Sequence, residues 1–300
     1  MVHIPVLARE TLELLAPRSD AVVVDVTAGG GGHLSLLAEA IGPGGRVLAL
    51  DRDPRAHEES AAGGVQRRFA DRVNLIRAPF SALASVLRER GIPAVDVILA
   101  DIGVSSMQLD ERARGFSFRE DGPLDMRMDP DAGETAWELL ARLDENEIAD
   151  VLYQYGDEHR SRRIARAIKK AWPLPDSTAA LAALIARACG SPHGRIHAAT
   201  KSFQAIRIAV NGELDELDQL LRDAPHCLAL GGRLGIISFH SLEDRRVKHA
   251  FQALSRRNED GAPPHFHCIT RRPVSATAEE MATNPRARSA KLRVLERVSL

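Results

Sequence analysis

The sequence predicts an α/β chain: a parallel sheet with helices on both faces, interrupted by a block of helices. Three observations carry this. Residues 21–33, AVVVDVTAGGGGH, pass from small and β-branched apolar residues into consecutive glycines and then a helical pattern, which reads as strand, tight turn, helix. Further apolar runs alternate with helical patterns and end on acids, Asp51 and Asp101, as in parallel sheets built from strand–helix–strand units. From Thr135 to Arg222, helical patterns follow one another with no strand run between them.

Taken in order, Val2 to Leu15 reads as a lead-in and a helix that stops before Pro17. The first strand ends at Asp25, and the turn after it holds Gly29, Gly30, Gly31 and Gly32. Glycine suits such a turn because it tolerates positive φ and lets a ligand approach the backbone. The following helix start adds free N–H groups and a positive dipole end. A dinucleotide fingerprint wants a third glycine where this chain has Leu34,. The acid-x-small-x-Gly-x-Gly pattern instead resembles the first motif of S-adenosylmethionine (SAM) methyltransferases. The second strand, Arg46 to Leu50, ends at Asp51, an acid placed to accept hydrogen bonds from ribose hydroxyls in either kind of fold. Asp53-Pro54 reads as a turn with a helix cap,. A third strand, Val73 to Ile76, ends near Phe80, which suits either stacking on adenine or the core,. A fourth, Val95 to Ala100, ends in Asp101. Ligands of such sheets bind beyond the carboxyl ends of the strands, so Asp25, Asp51, Phe80 and Asp101 point to one crevice.

Residues 101–131 are polar and glycine-punctuated but carry Phe, Met and Leu. They read as an ordered loop over the crevice. Gln108 is placed to reach the cofactor. Arg112, Arg114, Arg119 and Arg127 suit either phosphates or their own neighbouring carboxylates,. In the helical block, the basic stretch Arg160, Arg162, Arg163, Arg166, Lys169 and Lys170 is either a solvated face or a contact for an RNA backbone,. Gln204, Arg207 and Asn211 share a helix face,. Gly231-Gly232 then turns into a fifth strand, Arg233 to Ser238, which is followed by His240, Glu243 and Asp244. Asn258 to Pro264 reads as a flexible loop and Lys291 to Val298 as a final edge strand.

Composition sets further bounds. The 300 residues are 44% hydrophobic and 27% charged, with net charge −1. That fits one large domain or two smaller ones and excludes a generic polyanion binder. Nucleic acid would need a local patch, and residues 241–300 supply one, with 12 Lys and Arg against 7 Asp and Glu. Cys189, Cys227 and Cys268 are isolated, which argues against structural zinc or a disulfide framework and suits a reducing compartment. No metal ligand cluster is apparent, since His240 and His249 lack i, i+4 spacing,. No apolar window is long enough to span a membrane, and the N-terminus lacks a basic signal region. A cytoplasmic protein, monomeric or homodimeric, is expected.

Longer stretches resemble one family, the MraW/RsmH-type methyltransferases. They include HIPVLARE at 3–10, DVTAGGGGH at 25–33, ALDRDP at 49–54, DIGVSSMQLD at 101–110 and RGFSFREDGPLDMRM at 114–128. ATKSFQAIRIAVNGEL at 199–214, SFHSLEDRRVK at 238–248 and NPRARSAKLR at 284–293 continue it. Ala287 and Lys201-Ser202 depart from the usual pattern without touching an expected SAM contact. The resemblance implies a class I SAM-dependent methyltransferase, a Rossmann-like sheet domain with an inserted all-helical domain. The expected boundaries are 1–110 and 214–300 for the SAM-binding domain and 111–213 for the inserted loop and helical substrate-recognition domain. It also implies N4-methylation of a specific cytidine near the decoding site of small-subunit (16S) ribosomal RNA, with the 30S subunit as partner. SAM would be held by Gly31, Gly32, His33, Asp51, Phe80, Asp101 and Gln108. Candidates for accepting the amine proton are Asp101, Ser105 or Ser106, then Asp125, Asn211 and His240. The alternatives are a nicotinamide dehydrogenase, a non-catalytic SAM-binding ribosome-assembly factor, and a methyltransferase acting on DNA or protein.

Overall fold

The computed structural model describes residues 5–190, 197–257 and 263–299. The expected flexible loop at 258–264 falls largely outside them. The chain forms two compact units, Met1–Gly103 with Leu214–Leu300, and Val104–Glu213. The first boundary therefore lies between Gly103 and Val104, earlier than the 110/111 break expected from the sequence.

The first unit holds one sheet of eight strands: β1 (Val22–Asp25), β2 (Arg46–Asp51), β3 (Val73–Arg77), β4 (Val95–Asp101), β5 (Leu228–Ser238), β6 (Phe266–Cys268), β7 (Val274–Ser275) and β8 (Lys291–Arg297). The order is β3-β2-β1-β4-β5-β8-β6, with β7 also on β8. From β3 to β5 all pairings are parallel. Consecutive side chains of a strand point to opposite faces. Val23, Val47, Ala49, Val97 and Leu99 accordingly enter one core. Val24, Leu48, Leu50, Ile98 and Ala100 enter the other. Both faces are buried, which explains the near-continuous apolar runs. The chain leaves β1 for β2 on one side, and β4 lies on the other. That reversal opens a crevice at their carboxyl ends.

Two strand expectations change. β5 starts at Leu228 and runs through Gly231-Gly232, where the register against β4 shifts. Gly231 takes φ 77° there. A Cβ on Gly232 would lie 2.9 Å from the Ala229 carbonyl oxygen and 3.0 Å from that of Val95, so the pair accommodates a bulge rather than a turn. β8 is not an edge strand. It pairs antiparallel with β5 on one side and with β6 and β7 on the other, and Leu292, Val294 and Leu295 are fully buried. Two or three residues are too few for β6 and β7 to show a period, so the partners of β8 were not visible in the sequence.

The second unit packs its helices around a separate core of Leu139, Leu140, Leu152, Ile164, Ile168, Leu181, Ile185, Phe203 and Ile206. Capping boxes at Thr135 and Asp144 open two of these helices,. The stretch read as a crevice loop contributes to this core: Phe116, Leu124, Met126 and Met128 are buried in it. Arg114 is also buried and donates to the carbonyls of Arg127 and Met128. Met126 is held at φ 60°, a conformation that L side chains rarely adopt.

Asn211 braces this segment. Its Oδ1 accepts from Met128 N–H at 2.7 Å, and its Nδ2 donates to the carbonyls of Met126 at 2.7 Å and Arg207 at 2.9 Å. Asn211→Ala leaves these partly buried groups without their partner, which costs about 1–3 kcal/mol for each unsatisfied group. The substitution is expected to destabilise the helical unit by about 2 kcal/mol or more, read as a lower urea midpoint. An unchanged midpoint with slower catalysis would instead place Asn211 in the chemistry.

Candidate functional site

Four strand ends of the sheet unit carry the polar groups. At the end of β1, Asp25 is only 1% exposed. Its Oδ1 accepts from the Thr27 N–H at 3.0 Å and the Thr27 hydroxyl at 3.4 Å. Its buried Oδ2 has no hydrogen-bond partner among the described residues. The Thr27 hydroxyl in turn accepts from the N–H of Asp101, the last residue of β4, at 2.7 Å. One threonine thus ties the ends of two adjacent strands together. Asp101 Oδ1 is likewise buried without a partner among the described residues, while Oδ2 lies 3.6 Å from Nε2 of the buried His33.

Burial pushes the Asp25 carboxyl up to about 7. The Thr27 hydrogen bonds oppose the rise and the Asp51 charge adds to it. Burial, then the negative charges of Asp25 and Glu243, pushes Asp101 up to about 8. These carboxyls therefore favour their neutral form until something cationic joins them.

The glycine turn forms the adjoining wall. Gly31 precedes the helix Gly32–Ala40 at φ 81°. A Cβ there would lie 2.8 Å from Val65 Cγ2 and 3.1 Å from Ala62 Cα. Backbone conformation and close packing both demand glycine. Gly31→Ala is expected to destabilise the sheet unit by about 1–3 kcal/mol. A thermal midpoint equal to wild type would contradict this.

Asp51, at the end of β2, accepts from Gly29 N–H at 2.7 Å and Asp53 N–H at 2.8 Å. It therefore holds the glycine turn against its strand. Although Asp51 is partly exposed, surrounding protein raises its pKa by burial, and the two N–H bonds pull the other way. Each carboxylate oxygen retains a second acceptor site, so Asp51 can still receive hydroxyl donors. Phe80 opens a short 3-10 turn after β3 and packs, partly buried, against one core.

Beyond β5, Glu243 is buried at the start of the helix Ser241–Leu254. Its Oε2 accepts from the N–H groups of Phe239 at 2.8 Å and His240 at 3.1 Å. His240 Nδ1 accepts from Glu243 N–H at 3.4 Å, and its Nε2 lies 2.9 Å from Glu243 Oε1. These two residues cap the helix reciprocally through His240 Nδ1, while the buried His240 Nε2 approaches Glu243 Oε1 without a well-formed hydrogen bond among the described residues.

The remaining residues singled out from the sequence belong to the helical unit. Ser105 and Gln108 satisfy each other across a capping box, Ser105 Oγ accepting from Gln108 N–H and Gln108 Oε1 from Ser105 N–H. Asp125 forms a bidentate pair with Arg127, at 2.9 and 2.8 Å. Burial raises its pKa, but Arg127, through hydrogen bonds and charge, and the charge of Arg114 outweigh that and hold it below the usual carboxylate range. An anion held this way is a poor proton acceptor at neutral pH. Arg112 and Arg119 are exposed.

The sequence placed Asp25 at the crevice and Glu243 after the fifth strand without assigning either a role, and Thr27 was not singled out. The Asp-x-Thr spacing after a buried strand and the acid at the third position of a helix were the available signals. Among the described residues, no three His, Cys, Asp or Glu side chains group as a metal site. No helix among them is long and apolar enough to cross a membrane.

Taken chemically, the crevice offers two unpartnered carboxyl oxygens, a backbone cradle where side chains are excluded, and an acid at the end of β2. This donor set fits SAM, which brings an ammonium group, a sulfonium centre and ribose hydroxyls. Comparison with known proteins agrees. The profile of the MraW methylase family matches residues 1–298. A protein of Sorangium cellulosum (strain So ce56) named ribosomal RNA small subunit methyltransferase H is 49% identical, over 99% of this chain and 91% of its own length. Proteins of the same name from Synechococcus sp. (strain RCC307) and Anaeromyxobacter sp. (strain K) are 52% and 50% identical. They cover 99% of this chain and 96% and 98% of their own lengths. The chain belongs to the MraW methylase family, and its methyl donor is S-adenosylmethionine.

Proposed function

We propose that this methyltransferase acts in the cytoplasm on small-subunit ribosomal RNA, methylating N4 of one cytidine near the decoding site. The observation that carries the proposal is a buried Asp101 Oδ1 with no hydrogen-bond partner among the described residues, on a carboxyl whose other oxygen lies 3.6 Å from His33 just after the glycine turn, in a chain that aligns over almost its whole length with proteins named for that RNA. Bound SAM supplies an electrophilic methyl group on a sulfonium centre.

The exocyclic amine of cytosine is a weak nucleophile, because its lone pair is delocalised into the ring. A hydrogen-bond acceptor on its N–H groups restores electron density to the nitrogen and fixes its direction. Asp101 fills this role best, at the end of a central strand with one oxygen uncommitted. Its raised pKa matches proton acceptance near neutrality, and the amine proton becomes acidic only as the N–C bond forms. Asp51 accepts from the ribose hydroxyls, Gly31 and Gly32 admit the methionine portion, His33 flanks Asp101, and Phe80 offers a face for adenine. The target base must leave its stack to enter such a site.

In the helical unit, the helix Ser161–Lys170 buries Ile164, Ala165 and Ile168 and exposes Arg162, Arg163 and Lys170. That cationic face suits an RNA backbone. Arg166 pairs with Glu145, and Lys169 donates to the Leu140 and Ala141 carbonyls, so part of the stretch is structural.

The test is to offer labelled SAM with ribosomal subunits, DNA and cell protein from cells lacking the enzyme. Label that is acid-precipitable and released by ribonuclease from small subunits is expected. Label in DNA or protein would replace the RNA assignment.

A further inference from the structure

Apart from the strand-end crevice, the sheet unit contains a cavity of about 510 Å³ beside the later turns of the helix Ser241–Leu254. Its lining on that side is Lys248, Phe251, Gln252, Ser255 and Arg256, spaced i, i+3, i+4, i+7 and i+8. Lys248, Phe251 and Gln252 share one helix face, a stripe that is ordinarily apolar where it turns inward, and Ser255 and Arg256 follow just past the last helical residue, Leu254. Here only Phe251 is buried apolar floor. The other four positions carry two cations, an amide and a hydroxyl. Ser255 Oγ is buried without a hydrogen-bond partner among the described residues.

Opposite the helix stand Arg271, just after β6, and Arg293 on β8. Arg293 is neutralised by Asp244 at 2.7 Å. Lys248, Arg256 and Arg271 are exposed and, among the described residues, form no ion pair. They cluster in the segment whose Lys and Arg outnumber its acids on a nearly neutral chain.

We propose that this cavity is a phosphate-binding site that takes one phosphodiester of the RNA strand. Several cations around hydroxyl and amide donors match a phosphate, which presents acceptors in several directions. The apolar floor gives the attached nucleotide a surface to lie on, and the volume falls within the range of small-ligand sites. The position suits a strand continuing from the crevice. Glu243 lies in the first turn of the helix, Lys248 follows about 7.5 Å further along its axis at 1.5 Å per residue, and Arg256 lies two residues past its end at Leu254.

The proposal rests on RNA being the substrate, and its test separates the two. Small-subunit RNA binding is measured across a salt series for the full-length enzyme and for the triple variant Lys248→Gln/Arg256→Gln/Arg271→Gln. Inorganic phosphate is titrated into both by calorimetry at constant ionic strength. The variant is expected to bind SAM like wild type but RNA at least tenfold more weakly, with the slope of log affinity against log salt reduced by about 0.7–1, the change for one lost phosphate contact. Inorganic phosphate should bind wild type and not the variant.

Phosphate binding lost in the variant, with RNA affinity and slope unchanged, would overturn the RNA source in favour of a free phosphate compound. No phosphate binding by wild type together with an unchanged slope would overturn the site altogether. If the triple variant misfolds, the exposed Arg271→Gln alone must weaken binding of both RNA and inorganic phosphate, and unchanged affinity for both would overturn the site. A wild-type enzyme that methylates no RNA but still binds it through this cavity would defeat the substrate reading and leave this site standing.

Discussion

An Asp101→Ala enzyme is expected to lose about 10²- to 10⁴-fold in kcat/KM for methyl transfer, the usual contribution of a positioned proton acceptor. The corresponding loss of transition-state stabilisation is about 3–5 kcal/mol. The expectation follows from position. Asp101 ends β4, is fixed through its own N–H to Thr27, and keeps Oδ1 free in a buried setting. Separating kcat from SAM affinity identifies the role. If Asp101 serves the amine, kcat falls and SAM binding, measured by equilibrium dialysis, changes by less than about tenfold. If it serves only the donor's ammonium group, SAM binding falls by at least as much as kcat. Activity within threefold of wild type would remove Asp101 from the mechanism. Asp125→Ala is the control, because its carboxylate is committed to Arg127.

Without SAM, the enzyme is expected to become less stable as pH rises from about 5 to 8.5. The folded-state pKa values of Asp25, about 7, and Asp101, about 8, stand above the ordinary 3.8. Between these limits the folded protein holds protons that the unfolded chain has released. Stability from these groups is therefore fully present below about pH 4 and is lost as pH climbs through 7 to 8. Two such groups give a slope of up to about 2.7 kcal/mol per pH unit in the steepest part. Asp25→Asn carries no charge to bury. It should remove about half of that slope and make the SAM-free enzyme more stable than wild type at pH 8, while weakening SAM binding. Urea unfolding at pH 5.5, 7 and 8.5 reads both effects. Stability that is flat or rises over this range would show that the two carboxyls are ionised throughout. SAM brings positive charge to the crevice, so its binding should release protons near pH 7. Calorimetry in buffers of different ionisation enthalpy detects that release.

The strand-end site was readable because both of its signals are local. A β-branched run that stops at Asp25, Asp51 or Asp101 fixes where each acid lies on a parallel sheet, and the glycines after Asp25 fix the turn. Protonation was not readable. The shift of Asp25 depends on burial from all sides and on Asp51, and that of Asp101 on burial and on Asp25, groups that adjoin only after β1 has paired with β2 and β4. The packing of residues 101–131 was hidden for a similar reason. Their apolar residues lack a period because they enter the helical core one at a time, through backbone braces such as Asn211 to Met126 and Met128. By residue type Arg114 and Arg127 suited either phosphates or neighbouring carboxylates; Arg127 is paired with Asp125, and Arg114 is buried on the Arg127 and Met128 carbonyls. The interior place of β8 depended on two short partner strands that no periodic pattern marks.

The proposed reaction transfers a methyl group to a ribosomal cytidine. The most direct measurement is nucleoside analysis of RNA from small subunits that lacked this enzyme, after incubation with it and isotopically labelled SAM. One labelled nucleoside, N4-methylcytidine, is expected, and none when Asp101→Ala replaces wild type. Label in another nucleoside, or SAM bound without any label entering RNA, would contradict it.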